Sequence, residues 1–354
     1  MTIFYILVFL LLLQAIIIPQ NNQRGIKVYL ILAFIELQIV SGLRLPTAGD
    51  TEYYTDLFVD VSQMPLTESL DLGLEKGFML FLYLVSLINS KPQSILFFSS
   101  LFLNSFVLYY IYKKSKIPWL SVVLYVTLMF FFSGMNLMRF AMACTVLLYS
   151  NDYIVQRKPI KFLAILIVAS SFHFSTLIYG IVYFLYPMQL KYKNFVSIAT
   201  PLVVLSFIIL PVFQILIQIN PRYTSYAEAD EFYQSAYANV LEFLFNFCIF
   251  LFLTYSYKWK LKEIVGINKL YMWLTFLSVV YAFMSINVMI IIRFVSLCSL
   301  IYVIYIANVI SEMPKLKQQR WIILFMLVTI AKMAVILTYR PEWYFGEPFN
   351  HLFL

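Results

Sequence analysis

Residues 130–150, FFFSGMNLMRFAMACTVLLYS, are apolar almost throughout, yet Arg139 stands near their middle with Asn136 three positions before it. A run of this length is what a helix needs to cross a hydrocarbon core, about 20 residues for about 30 Å. A full positive charge is costly in lipid, so it faces a bundle interior or an aqueous cavity and marks a functional position by default. The stretch raises two questions: how many such crossings the chain makes, and what balances the arginine.

Working outward, the 354 residues are 62% hydrophobic and only 12% charged, against about 25% charged in a soluble domain. Apolar runs recur along the whole length and leave no room for a soluble domain. A membrane β-barrel would instead alternate in segments of about 10 residues. The composition predicts an all-α, polytopic integral membrane protein with one transmembrane domain over 1–354. Cys144, Cys248 and Cys298 lie inside apolar segments without CxxC spacing, so they read as packing residues rather than disulfides or zinc ligands. The net charge of +8 does not imply nucleic acid, because its distribution follows the loops.

Short loops rich in Lys and Arg mark the cytoplasmic side. QRGIK (23–27), KKSK (113–116), QRKPIK (156–161), KYK (191–193), KWKLKE (258–263) and PKLKQQR (314–320) have this character. The loop 44–76 has the opposite one, with Asp50, Glu52, Asp56, Asp60, Glu68, Asp71 and Glu75 between Arg44 and Lys76, and is expected outside. These assignments give about ten full crossings, near 3–18, 28–43, 94–112, 118–134, 138–155, 195–217, 240–257, 269–287, 290–311 and 321–338. The first helix lacks the basic start and small-residue cleavage site of a signal peptide and is expected to stay as an anchor. The segment 77–90 is too short to cross and is expected to be interfacial or re-entrant. The segment 161–188 lies between two cytoplasmic loops and is too short for two crossings, so a broken hairpin turning near SSFHFS is expected. Arg44, Arg139, Arg222, Arg293 and Arg340 are left on or near the external half, and 218–239 becomes an external Tyr-rich loop.

Four segments resemble the EpsG-like polysaccharide polymerases, which belong with the bacterial Wzy-type O-antigen and capsule polymerases. They are LRLPTAGDTEYYTDLF (43–58), EKGFMLFLYLV (75–85), MNLMRFAMA (135–143) and ASSFHFSTLI (169–178). They are similar in order and spacing to the family's Arg/Gly-Thr-Asp/Tyr pattern, Glu-Pro-Gly-Phe box, Arg-Gln-x-x-Ala box and Ala-x-x-Phe-His-x-Ser box, with Asp50 the best match for the family acid. PRYTSY (221–226), IIRF (291–294) and the tail WYFGEPFNHLF are compatible with it. The resemblance implies a multi-pass glycosyltransferase of the bacterial cytoplasmic membrane, GT-C-like in architecture, with its site facing outside. It would join undecaprenyl-diphosphate-linked oligosaccharide repeats, taking donor and acceptor from membrane lipid, with flippase and chain-length regulator proteins as further partners.

That chemistry needs cations for the diphosphate leaving group, a base for the acceptor hydroxyl and a polar, aromatic surface for sugar. Arginine suits the first because it stays charged and pairs with phosphate bidentately. Arg139 and Arg293 are the first choices, followed by Arg222, Arg340 and Arg44. His173, Glu75 and Asp50 are the candidate bases, and histidine suits proton transfer near neutrality. Tyr54, Tyr223 and Tyr226 are the sugar candidates, and Tyr233 and Tyr237 share the external cluster with the last two.

No HExxH, DxD-type or Gly-rich phosphate motif is present, so no metal site or nucleotide cofactor is expected. The acidic loop leaves a divalent cation open, although a solvated loop is the plainer reading. The alternatives are a lipid-linked glycan ligase, which shares the diphosphate chemistry, and a lipid-linked oligosaccharide flippase or other transporter. A transporter should show repeated halves, and none are visible. An acyltransferase using His173 would need a second polar partner where SSFHFS offers serines.

Overall fold

The computed structural model describes residues 2–47, 50–219 and 236–339, with side chains described for 2–47, 50–208 and 238–339. It is 82% helical, and no strand occurs among the described residues. By packing these fall into two compact units. One takes in the described residues of Met1–Tyr153, Lys158–Ile178 and Val303–Leu354, the other Ile154–Arg157 and those of Tyr179–Tyr302. The composition shows no boundary there, which is why the sequence reads as one domain.

The first unit begins with α1 (Thr2–Ile17), α2 (Gln23–Gly42), α3 (Thr51–Ser62), α4 (Leu66–Ser69), α5 (Lys76–Ile88) and α6 (Gln93–Lys114). It continues with α7 (Pro118–Thr127), α8 (Phe130–Asn136), α9 (Met138–Leu148), the first three residues of α10 (Asn151–Val155) and α11 (Pro159–Phe172). After His173 the chain forms a 3-10 turn, Phe174–Tyr179. The second unit holds α12 (Gly180–Leu185), α13 (Tyr192–Ile219), α14 (Ala236–Ser256), α15 (Gly266–Asn287) and α16 (Ile292–Ser299). The chain ends its described part in α17 (Tyr302–Ser311) and α18 (Lys315–Tyr339).

Among the described residues, five helices are long and apolar enough to cross a membrane, or up to seven if each bent pair counts as one span. The sequence reading gives ten; several of its runs are broken or short, and 195–217 is described with side chains only to 208. α7 and α8 meet at 51°, with Met129 between them in the left-handed region at φ 72°. A side chain rarely adopts that conformation, and the cost is about 1–2 kcal/mol. It is held by close packing, since Met129 is buried. A second break at Leu137 (φ −87°, ψ 54°) separates α8 from α9. Arg139 therefore lies in the first turn of a short helix rather than midway along a long one.

The ends of the first unit differ in chemistry. At one, Lys114 pairs with Asp152 at 2.6 Å and Lys116 with Glu312 at 2.7 Å, while Asn308 accepts from the Lys116 amide and donates to the Lys114 carbonyl. The basic loop after α6 is thus gathered with the start of α10 and the end of α17. At the other end of α6, Gln93 donates to the carbonyls of Gly42 and Arg44, where the acidic loop begins. The 22 residues of α6 hold these ends about 33 Å apart at 1.5 Å per residue, close to a hydrocarbon thickness.

In the second unit a buried polar network crosses the helices. Asn246 bonds Glu242 with its amide nitrogen, and its oxygen accepts from Ser278 at 2.5 Å and Tyr302 at 3.0 Å. Polar groups in a bundle interior persist when they satisfy one another in this way.

Candidate functional site

The site of the first unit is assembled on an apolar base. Tyr54 and Phe58 of α3, Phe78, Met79 and Leu82 of α5, Leu103 of α6 and Met138 and Met142 of α9 form one buried cluster, against which Phe102 and Phe172 pack. These contacts bring the starts of α3, α5 and α9 to the C-terminal end of α11.

Arg139 points into this junction. Its guanidinium forms an ion pair with Glu75, and its Nε donates to the Tyr54 hydroxyl at 3.0 Å. The same guanidinium lies 5.5 Å from the Tyr54 ring centroid and 5.8 Å from that of Phe78, within cation–π range. The paired side chains are 18% and 21% exposed, so they are partly desolvated without being sealed off. The other Glu75 oxygen accepts from the Phe174 amide at 2.9 Å. One carboxylate therefore ties the start of α5 to both α9 and the break after α11.

His173 is the residue at that break. Its backbone is extended (φ −156°, ψ 113°) and its amide caps α11. Its Nδ1 shares a hydrogen bond of 2.8 Å with Ser175 Oγ, and its ring meets Phe140 edge-on at 5.2 Å. Asp50 joins the same group through α3: its amide donates to Asn136 Oδ1 at 3.0 Å, and its carboxylate accepts a long 3.5 Å contact from Tyr54. Arg139, Glu75, Tyr54, Asp50 and His173 thus converge from four separate sequence segments, although no single helix brings any two of the titratable ones together except the turn Asp50–Tyr54.

Two positions differ from the sequence expectation. Arg44, read there as a diphosphate contact, is 1% exposed. It donates to the Ser41 carbonyl, to Ser100 Oγ at 3.1 Å and to the Met135 carbonyl at 2.7 Å. Its Nε has no partner among the described residues. Burial pulls its pKa down to about 9, still above neutrality, so it remains a buried cation solvated by neutral acceptors. It fastens the end of α2 to α6 and to the α8–α9 break, one residue before Asn136, and has no surface left for a ligand. Tyr54, read as a sugar contact, is 3% exposed. Its ring faces are occupied and its hydroxyl orients Arg139.

Arg293 lies in the first turn of α16, in the second unit. Arg222, Tyr223, Tyr226, Tyr233 and Arg340 fall outside the described residues, as does the side chain of Tyr237. The acidic loop shows no cluster of three or more metal-ligating side chains among the described residues. Motif reading placed Gly77 and Ser175 in their boxes without giving either a role, and did not find the Phe174 amide. Backbone donors leave no compositional trace, but a glycine directly after a helix start was a readable signal of close approach.

An all-α set of apolar helices, with a half-enclosed arginine, carboxylates and a histidine brought together on α3, α5, α9 and the end of α11, is that of a multi-pass membrane protein. The chain belongs to the EpsG family, a Wzy-type polymerase family whose sequence profile matches residues 27–348. Membership points to a polysaccharide polymerase-type function. No curated individual protein and no solved structure matches the chain.

Proposed function

We propose that the protein is a membrane glycosyltransferase that joins undecaprenyl-diphosphate-linked oligosaccharide repeats at the external face of a bacterial cytoplasmic membrane. The observation that carries this reading is the half-enclosed Arg139, oriented by Glu75 and Tyr54 and adjoining His173. The cluster packs on α6 at Ser99–Leu103, about 17–22 Å along the helix from Lys114 at the basic end, which supports a site displaced from the cytoplasmic face.

In the proposed reaction the growing glycan, carried on lipid diphosphate, is the donor. A hydroxyl of the incoming lipid-linked unit attacks its anomeric carbon. The bond from that carbon to the diphosphate oxygen breaks, and the diphosphate departs with the electron pair. Arg139 binds the charge that grows on the leaving group, which is transition-state stabilisation of the electrostatic kind. His173 takes the hydroxyl proton, with Ser175 holding its ring. Glu75 and Tyr54 keep the guanidinium aimed until the diphosphate arrives and competes for it. Asp50 and Asn136 fix the start of α3, and Arg293, Arg222 and Arg340 are the further candidates for phosphate. Membrane lipid, flippase and chain-length regulator are the partners of this scheme.

The test is the lipid-linked glycan that accumulates when the protein is absent. Single repeat units on lipid are expected. Finished long chains on lipid would mark a ligase instead, and a normal glycan profile would remove the protein from this chemistry.

A further inference from the structure

Glu36 stands in the middle of α2 within the apolar stretch LAFIELQIV, residues 32–40. It lies 13 residues after Gln23, about 20 Å along the helix and therefore inside the hydrocarbon. The site in the acidic loop does not use it. An ionised carboxylate at such depth costs about 2.5–3.5 kcal/mol or more, so a partner is required.

No cation on α1, α6 or α7, the helices packed on α2, stands at its depth. α1 and α7, both packed on α2, contain no Lys, Arg or His. The basic residues of α6 are Lys113 and Lys114 in its last turn, and those of α2 are Arg24 and Lys27 in its first turns. Glu36 takes part in none of the ion pairs among the described residues. Its hydrogen-bond partner is neutral: Gln14 of α1 donates its Nε2 to Glu36 Oε1.

The atoms left over decide the chemistry. Gln14 Oε1 and Glu36 Oε2 are both buried, and both lack a hydrogen-bond partner among the described residues. Two bare acceptors on the same pair of side chains are an expensive arrangement, since each unsatisfied buried group costs about 1–3 kcal/mol. Turning the Gln14 amide over gives no relief, because its carbonyl then faces Glu36 Oε1, the oxygen that now accepts from Nε2. One proton on Glu36 Oε2 satisfies both atoms at once: O–H donates to the Gln14 carbonyl while the amide N–H donates to the Glu36 carbonyl. The acid also becomes neutral.

We propose that Glu36 is a proton-binding site, occupied in the folded protein, whose neutral carboxyl pairs cyclically with the Gln14 carboxamide and fastens α1 to α2 within the hydrocarbon. The ligand of this site is a proton drawn from solvent as the two helices pack.

Infrared difference spectroscopy at about pH 7 on the full chain in lipid nanodiscs tests it. Comparing wild type with Glu36→Gln should show loss of a protonated-carboxyl C=O stretch that shifts in D2O. In Gln14→Leu the same band should persist but move to the frequency of a carbonyl with fewer hydrogen bonds. Loss of carboxylate stretches in place of the acid band would overturn the proposal. So would an acid band unmoved by Gln14→Leu. If Glu36→Gln fails to accumulate, wild type treated with a lipid-soluble carbodiimide, which adds across a carboxyl O–H, gives the second measurement. An adduct on the Glu36 peptide is expected, and its absence at saturating reagent overturns the assignment.

Discussion

Glu75 and Arg139, 64 residues apart in the chain, form an ion pair in which the acid also accepts the Phe174 amide. The arginine in the apolar run is therefore balanced from within the protein before any ligand arrives. In the proposed reaction its charge would reach the substrate by exchange. A diphosphate, with more negative charge than one carboxylate, is a ligand suited to win that exchange.

If Arg139 acts mainly on the leaving group, Arg139→Lys keeps the charge but loses the bidentate geometry. Polymer formed per unit protein should fall by about 10²-fold or more, the scale of a lost electrostatic donor. Arg139→Ala should be at least as severe, and both variants should still reach the membrane near normal levels. Full activity in the alanine variant would move the search for the cation to Arg293 or Arg222.

The ion pair should be visible as an energetic coupling. Glu75→Gln retains an acceptor for the Phe174 amide but leaves Arg139 without its counter-charge. Breaking a buried pair costs about 3–5 kcal/mol, and the partial exposure of both groups, 18% and 21%, reduces this to about 1–3 kcal/mol. In a double-mutant cycle of thermal stability with Arg139→Met, the two losses should be strongly non-additive. Simple additivity would show that the pair contributes nothing in the membrane.

Arg44 should behave differently from Arg139. Arg44→Lys cannot reach the Ser41 and Met135 carbonyls and Ser100 together, so unpaired acceptors should lower stability by about 1–3 kcal/mol. The KM for lipid-linked donor should change little among molecules that remain folded, because the side chain has no exposed surface. A rise in KM with unchanged melting would return Arg44 to the group of direct ligands.

The contrast between these arginines shows what the sequence could and could not carry. Apolar run length and loop charge are one-dimensional signals, so the all-α membrane class, the short 76–88 helix and the interruption at His173 were legible. The bend at Met129 and the break at Leu137 were not, because an apolar run reads alike whether its helix is continuous or bent. Arg139 and Glu75 were legible as candidates through their motifs, whereas their pairing needed α5 and α9 to share a core through Phe78 and Met138. Arg44 misled because a charge beside an acidic loop reads as exposed. Only packing shows that the end of α2 is covered by Ser100 and Met135.

The gathering of the basic loop after α6 with α10 and α17 predicts which residues are reachable from each side. A single cysteine placed at Lys114, in a chain lacking Cys144, Cys248 and Cys298, should resist an impermeant maleimide on intact cells and react after permeabilisation. A cysteine at Glu52, on the exposed start of α3, should react without permeabilisation. Labelling of position 114 from outside would reverse the proposed sidedness of the site.

The last prediction concerns how α5 and α11 approach each other. A Cβ on Gly77 would stand 2.2 Å from Ser171 Oγ and 2.7 Å from both its Cβ and its carbonyl oxygen. Gly77→Ala must therefore part the two helices, a form of overpacking that costs about 1–3 kcal/mol. Because Ser171 lies three residues before Phe174, parting them also pulls the Phe174 amide from Glu75 and loosens the hold on Arg139. Activity should then fall by more than the loss of folded protein explains. Ser171→Gly in the Gly77→Ala background removes the side-chain clashes but not the carbonyl one, so it should restore activity in part, against a helix-interior glycine cost of about 1 kcal/mol. Polymer yield normalised to folded protein in wild type, Gly77→Ala and the double variant is the measurement. Wild-type yield in Gly77→Ala alone would show that the close approach of the two helices is not what aligns the site.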